Sequence, residues 1–305
     1  MTASIYKAVE QKVEDARQAG RRCSTSGMLK YLGVSRSGYR SWQQRKPSAT
    51  KQREERVKER IKEIHKASHK NYGAPNITKS LRREGEIISE RTVGKYMRDL
   101  GIRAQWVPPF TVTTKDQDFS PSLKNILDEN FNPERPNAAW CSDITYIWTS
   151  EGFVYLASIM DLFSRKIIAW TLSKTLSAEH VVEAVKIAKK RRPTDIPTIL
   201  HSDRGSQYVS SEYRKITQGM QLSYSKKAYP WDNACIESFH ALIKREWLNR
   251  FRIKDFQHAY HLVFEYIETF YNTVRIHGHC GDLSPNEFEA AYKESHPSDQ
   301  GQLNP

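Results

Sequence analysis

Three runs between residues 140 and 172 constrain this chain more than any other feature. Trp140–Trp148, Phe153–Met160 and Lys166–Leu172 are dense in β-branched and aromatic residues and follow one another across short gaps. Such runs read as three successive antiparallel strands. The rhythm then changes. Ala178–Lys190 places Val181, Val182, Val185 and Ile187 as the apolar positions of a helix, and Thr198–Leu200 is a short strand running into His201, Ser202 and Asp203. Ser211–Gln218 is helical, Leu222–Tyr224 is one more short strand, and two long helices follow around 233–248 and 256–274. The order β-β-β-α-β-α-β-α-α describes an α/β fold, a mixed sheet flanked by helices.

Everything before residue 103 reads as helix. In residues 1–46, Ile5, Ala8, Val9 and Val13 recur at helical spacing. Ser24–Leu32, the turn Gly33–Ser35 and the basic aromatic stretch Ser37–Arg45 then complete a helix-turn-helix pattern, with Arg36, Tyr39, Arg40, Trp42 and Arg45 on the second helix. Pro47–Thr50 breaks the chain before a second module over 51–102. There Lys51–His65 carries the apolar stripe Val57, Ile61 and Ile64, and Pro75 opens a helix over 76–84 that Gly85 terminates. Ser89 can cap a last helix, Glu90–Leu100, ended by Gly101. On it Arg91, Lys95 and Arg98 share one face at i, i+4 and i+7.

Charge follows the same division. Residues 1–110 hold 25 Lys and Arg against 11 Asp and Glu; the remaining residues hold 23 against 24, so the net +13 comes wholly from the front. A basic front end on a near-neutral body argues for binding phosphates, with a merely solvated helical surface as the plain alternative. Residues 103–137 contain five prolines and little periodicity, as an extended linker does; 138–294 hold the strands and the C-terminal helices of one core, and 295–305 have the composition of a disordered tail.

No apolar run approaches the roughly 18–20 residues that span a bilayer, so no membrane partner is expected. Cys23, Cys141, Cys235 and Cys280 are scattered without a C-x-x-C pair, which suits a reducing cytosol. His277, His279 and Cys280 lie close together, but their spacing fits no standard zinc module. Neither a phosphate-binding G-x-x-x-x-G-K-[ST] loop nor a G-x-S-x-G elbow is present, so no nucleotide cofactor and no serine nucleophile is expected.

Chemistry gathers at three carboxylates. Asp143 lies in the middle of the first strand, where Cys141, Asp143 and Thr145 share one face. A carboxylate there costs several kcal/mol unless paired or metal-bound. Asp203 sits at a strand end before Gly205, where α/β folds assemble sites. Glu237 shares a helix face with Asn233, His240 and Lys244. Three carboxylates drawn together repel unless cations neutralise them, and an all-oxygen set suits Mg²⁺ or Mn²⁺. Two such ions are the usual apparatus for cutting and joining phosphodiester bonds. His201 and His240 are placed as supporting or DNA-positioning groups.

These stretches together resemble a known family. WCSDITYI at 140–147, YLA at 155–157, DLFSRK at 161–166, HSDRGSQY at 201–208, WDNACIESF at 231–239, Lys244, YNTVRIH at 271–277 and LSP at 283–285 look like the OrfB transposases of insertion sequences with overlapping OrfA and OrfB frames, in the DDE, retroviral-integrase-like superfamily. YGAP at 72–75 and RTV at 91–93 resemble the helix-turn-helix that precedes that core. The resemblance implies an RNase H-like mixed-sheet core preceded by all-α helix-turn-helix modules. It implies a catalytic and metal-binding triad of Asp143, Asp203 and Glu237, with two Mg²⁺ or Mn²⁺ ions. DNA contacts are expected from Lys244, His240, Asn233, Arg36, Arg40, Arg91, Lys95, Arg98 and Arg275. Partners would be the double-stranded terminal repeats and target DNA, further copies of the chain, and an OrfA-type protein, all in the bacterial cytoplasm at the nucleoid. Two alternatives stay open: a non-catalytic OrfB-type regulator, and an RNase H-type nuclease without joining activity.

Overall fold

The computed structural model describes residues 2–45, 48–105, 123–193, 198–226 and 230–297. They belong to two compact units, Met1–Arg60 and Ile61–Pro305. The first contains helices α1 (Thr2–Gln18), α2 (Thr25–Tyr31), α3 (Arg36–Gln43) and the start of α4 (Ala49–Ala67). Tyr6, Val9, Leu29 and Tyr39 form its buried core. Ser24 and Ser35 cap α2 and α3 by accepting the backbone N–H of Gly27 and Gly38, each at 3.1 Å. Gly38 is needed for packing: a Cβ there would stand 2.5 Å from the Tyr6 hydroxyl. Tyr39 and Trp42 turn inward against the Tyr6 ring, leaving Arg36 and Arg40 exposed.

In the second unit, α5 (Ala74–Arg83) and α6 (Glu90–Asp99) follow the end of α4. The Ser89 side chain caps α6 through the Thr92 N–H, and Gly85 and Gly101 end the helices at positive φ, +89° and +68°. Buried Val93 and Met97 hold α6 down, so Arg91, Lys95 and Arg98 face outward. This helical module is tied to the C-terminal part of the chain. Tyr72 donates its hydroxyl to the Val274 carbonyl (3.2 Å) and accepts the Ile276 N–H (2.9 Å). Lys79 pairs with Asp282 at 2.7 Å and Arg83 with Glu287 at 2.8 Å.

Five strands make one sheet: β1 (Ala139–Thr149), β2 (Gly152–Asp161), β3 (Ile167–Ser173), β4 (Ile199–Ser202) and β5 (Gln221–Tyr224), in the order β3-β2-β1-β4-β5. The first three are antiparallel, as their sequence rhythm predicts. β4 runs parallel to both β1 and β5, which makes the sheet mixed. Parallel neighbours need crossovers, and α7 (Ala178–Arg191) and α8 (Ser211–Ile216) supply them. They cover one face, where Trp140, Ala157, Ile159, Val181, Val185, Tyr208 and Tyr213 are buried together.

α9 (Ala234–Glu246) and α10 (Phe256–Phe264) follow, and α11 (Pro285–Ser295) is the last helix among the described residues. Ser295 is thus helical, and 298–305, the rest of the expected tail, lie outside the described residues. The single helix expected over 256–274 instead changes to π geometry over Glu265–Tyr271. Backbone bonds step to five residues there, as from the Asn272 N–H to the Ile267 carbonyl (3.1 Å). The wider turn buries Tyr266, Ile267, Phe270 and Tyr271 together and sets the Asn272 side chain against both the N–H and the carbonyl of Ile167, each at 3.0 Å. Of the proline-containing stretch 103–137, residues 106–122 lie outside the described residues, while the part from 123 is pinned beside β5. Ser223 Oγ accepts the N–H groups of Ile126 and Leu127 at 2.8 and 2.9 Å.

A buried ionic cluster fastens α11 to the sheet. Glu289 receives Arg192 at 2.7 and 2.9 Å, Lys166 at 3.4 Å and the Ser164 hydroxyl at 2.7 Å. Asp161, beside it, accepts the N–H groups of Asn137 (2.9 Å) and Phe163 (3.0 Å). Burial and the Glu289 charge push the Asp161 carboxyl up to about 7.

Candidate active site

Sheet register brings two of the three carboxylates to one place. β1 and β4 run parallel with Ser142 opposite Ser202, so the next residue on each, Asp143 and Asp203, leaves that pairing at the same level. Asp143 stays within β1, opposite Ser158 of β2, while Asp203 begins the turn after β4. The turn is fixed by the Asp203 carboxylate itself, whose Oδ1 accepts the Gly205 N–H at 2.9 Å. Gly205 keeps the turn narrow: a Cβ would stand 3.0 Å from that oxygen. Tyr208 lies buried close by, sharing its hydroxyl with Ser142 at 3.3 Å. Burial pushes its phenol well up, and the Asp143 and Asp203 charges push further, so both carboxylates act on one ring.

Helix α9 brings the third carboxylate against the other face of β1. Ile236, Phe239, His240 and Ile243 bury its inner side, and Glu237 stands at the exposed edge of that stripe. Partial burial and the Asp143 charge together raise the Glu237 carboxyl. One turn on, His240 is buried, with Nδ1 3.3 Å from Asp143 Oδ2 and Nε2 3.3 Å from Ser158 Oγ. It therefore braces Asp143 rather than facing solvent. Lys244, a further turn on, lays its ammonium 4.4 Å over the Tyr146 ring. Burial lowers its ammonium while Asp143 opposes that shift.

Other residues singled out in the sequence are placed differently. Asn233 is buried at the start of α9, and its Oδ1 has no hydrogen-bond partner among the described residues. Arg275, expected on DNA, has its guanidinium held by Glu246 at 2.8 and 2.9 Å, beside the Tyr266 hydroxyl on the same carboxylate at 2.8 Å. That bidentate pair engages the Arg275 guanidinium within the fold. His201 is fully buried between Ser223 (2.9 Å) and Ser225 (3.2 Å), and burial pushes its imidazole down to about 4. His277 is pushed down to about 3 by burial and Arg275, His279 meets the Phe163 carbonyl at 2.9 Å and Cys280 the Ser164 carbonyl at 3.3 Å, so this trio is engaged with its surroundings. Ser158, Tyr146 and Tyr208 are the site residues that sequence reasoning missed. Tyr208 lay within the HSDRGSQY stretch, but nothing in its spacing revealed that it would sit under two aspartates.

The donors are all oxygens, and burial together with the Asp143 charge raises Glu237, a cost that a divalent cation relieves. Among the described residues, however, no three His, Cys, Asp or Glu side chains stand close enough to hold an ion as placed. Asp143, Asp203 and Glu237 would therefore have to draw inward to coordinate one.

Comparison with known proteins defines the class first. Integrase core domain profiles match residues 133–230 and 218–285, and an HTH-like domain profile matches 52–110. The sheet is thus an integrase-type core of RNase H-like fold, preceded by a helix-turn-helix-like module. Among relatives, the transposase InsF of insertion sequence IS3A from Escherichia coli K12 is 36% identical over 272 residues, covering 87% of this chain and 94% of that one. The insertion element IS600 31 kDa protein of Shigella sonnei is 35% identical over 269 residues, covering 88% and 99%. The chain belongs to this family of insertion-sequence transposases, DDE enzymes with an integrase core. Among solved structures, the magnesium-bound catalytic core of HTLV-2 integrase matches with a TM-score of 0.40 at 14% identity, covering 51% of this chain and 98% of that one. No helix among the described residues is long and apolar enough to cross a membrane.

Proposed function

We propose that this transposase cuts the ends of its insertion sequence and joins them to target DNA, with Asp143, Asp203 and Glu237 as the catalytic triad. The observation that carries the assignment is the β1–β4 register, which sets Asp143 beside Asp203 while α9 leans Glu237 on Asp143. Asp143 is central to the three and would bridge two Mg²⁺ or Mn²⁺ ions, with Asp203 and Glu237 each holding one. Such ions supply activation of a water or 3′-hydroxyl and charge relief at the leaving oxygen. The protein's own groups do the rest. His240 and Ser158 hold Asp143 in orientation, the Gly205 N–H holds Asp203, and Lys244 offers a cation to a phosphate beside the site.

Arg91, Lys95 and Arg98 on α6, and Arg36 and Arg40 on α3, are exposed and suit phosphate contacts that position double-stranded terminal repeats. The partners are the terminal repeats, target DNA, further copies of this chain and an OrfA-type protein, in the bacterial cytoplasm at the nucleoid. Incubating the chain with end-labelled terminal-repeat DNA and Mg²⁺ tests the reading. Cleaved and strand-transferred products that vanish with EDTA are expected. Hydrolysis without joined products would instead mark a nuclease, and binding without cleavage a regulator.

A further inference from the structure

The β1–β2 hairpin ends in an aromatic surface that the chemistry above leaves unused. Trp148 and Phe153 lie opposite one another in the antiparallel register, and their rings meet edge to face at 4.8 Å. Trp148 is 64% exposed and Phe153 48%. Phe153 also meets the edge of Tyr146 at 5.3 Å, and Tyr146 carries the Lys244 ammonium over its ring. Tyr146 lies on the other strand face from Asp143, and Lys244, two turns along α9 from Glu237, links the site to this aromatic row, which runs out to the hairpin tip.

Exposed aromatic surface next to a catalytic centre calls for an occupant, and the flanking charge says which kind. Ser150, in the hairpin turn, donates both its N–H (2.9 Å) and its hydroxyl (3.3 Å) to the Ile253 carbonyl. This strap brings Arg252 and Lys254, both exposed, up beside the tip. Glu151, the acidic residue of the turn, is matched by Lys174 at 3.6 Å. The aromatic row thus carries Lys244 at its inner end, and the exposed Arg252 and Lys254 flank the residue strapped to the turn at its outer end. A second copy of the same hairpin would meet it cation to cation. Rings interleaved with cations suit single-stranded nucleic acid, whose bases stack while its phosphates meet the charges.

We propose that Tyr146, Phe153 and Trp148, with Lys244, Arg252 and Lys254, form a track for unpaired nucleotides of the DNA strand being processed. This rests on the transposase reading and extends it: a strand end led to the carboxylates leaves its complement, and stacking on the track offsets the unpairing cost.

The test uses the full chain in EDTA, with binding of labelled oligo(dT) and of a blunt duplex of equal length read by fluorescence anisotropy. Replacing both aromatics (Trp148→Ala with Phe153→Ala) is expected to weaken oligo(dT) binding about tenfold and duplex binding less than twofold. Trp148→Tyr, which keeps a ring, restores most of the loss. Trp148→Ala alone, at an exposed position, gives a smaller loss of the same kind and stands in should the double variant not fold. Unchanged oligo(dT) affinity, or an equal loss on both DNAs, overturns the track. So does a loss that coincides with a change of oligomeric state in sedimentation, which would make the surface a contact between copies. Mg²⁺-dependent cleavage by the wild type is scored separately. Cleavage with unaltered oligo(dT) binding in the variants removes the track and leaves the transposase reading; a ring-dependent oligo(dT) preference without cleavage does the reverse.

Discussion

Two acidic clusters sit at the sheet, one around Asp143 and one around Asp161, and they differ in what balances their charge. At Asp161, the neighbouring Glu289 is met by Arg192 and Lys166, and every acceptor is engaged by the chain's own donors. At Asp143 the nearest titratable partner is His240 at 3.3 Å, and burial together with the Asp143 charge raises the Glu237 carboxyl. The first cluster is closed and holds α11 on the sheet. The second lies where the β1–β4 pairing ends, with His240 against Asp143 and Lys244 one turn further along α9. An aspartate in a strand is therefore ambiguous until its partners are known. Both Asp143 and Asp161 lie in strands and both fall within family-like stretches, yet their surroundings differ.

The sharpest way to break this comparison is to neutralise each cluster in turn. Asp143→Asn, Asp203→Asn or Glu237→Gln should each lower Mg²⁺-dependent cleavage of terminal-repeat DNA by at least about 10²–10³-fold, the scale of losing one charge-stabilising group. Thermal unfolding and DNA affinity should hardly move. A variant that retains full cleavage would remove its residue from the triad. Glu289→Ala should do the opposite, costing about 3–5 kcal/mol of stability by stranding Arg192 and Lys166 in a buried site. Urea denaturation reads that loss, while the activity of the fraction still folded stays near normal.

A smaller effect separates the clusters by pH. The Asp161 carboxyl is raised to about 7 in the folded chain, above its ordinary value, so its protonated form favours folding. Its contribution is complete below the ordinary carboxylate range and is lost as pH rises through about 7. Asp161→Asn mimics the protonated form. The stability advantage of wild type over this variant should shrink between pH 5 and pH 8, as denaturant midpoints would register; a constant advantage would contradict the raised value. Smallest of all is the change expected at Lys244. Lys244→Ala should weaken DNA binding a few-fold and reduce the slope of log affinity against log salt by about 1, with little change in melting temperature. An unchanged salt slope would place Lys244 off the DNA.

Much of the fold was legible because its signals are local. The three antiparallel strands follow from β-branched and aromatic runs, and the observed β1, β2 and β3 differ from the expected spans by one residue at each end. Ser89 was readable as a helix cap, and Gly85 and Gly101 as helix stops, since caps and positive-φ stops depend on neighbours within a few residues. The π stretch at 265–271 was not, because an α-period and a π-period share the same apolar residues over two turns. It is marked by the contacts of Tyr271 and Asn272 with the segment entering β3, about a hundred residues earlier.

By itself, the sequence determined which residue types occupy which kind of element: carboxylates in a strand, at a strand end and on a helix, behind a basic helical front. Only the tertiary structure decided what each one touches. It gave Arg275 to Glu246, His240 to Asp143, and Lys244 to Tyr146, and it closed the Asp161 cluster with Arg192 and Lys166. The physical reason is that periodicity and capping act over a few residues, whereas charge compensation and sheet register join segments tens to hundreds of residues apart. Pairing β1 with β4, which sets Asp143 beside Asp203, is a choice that no local pattern encodes.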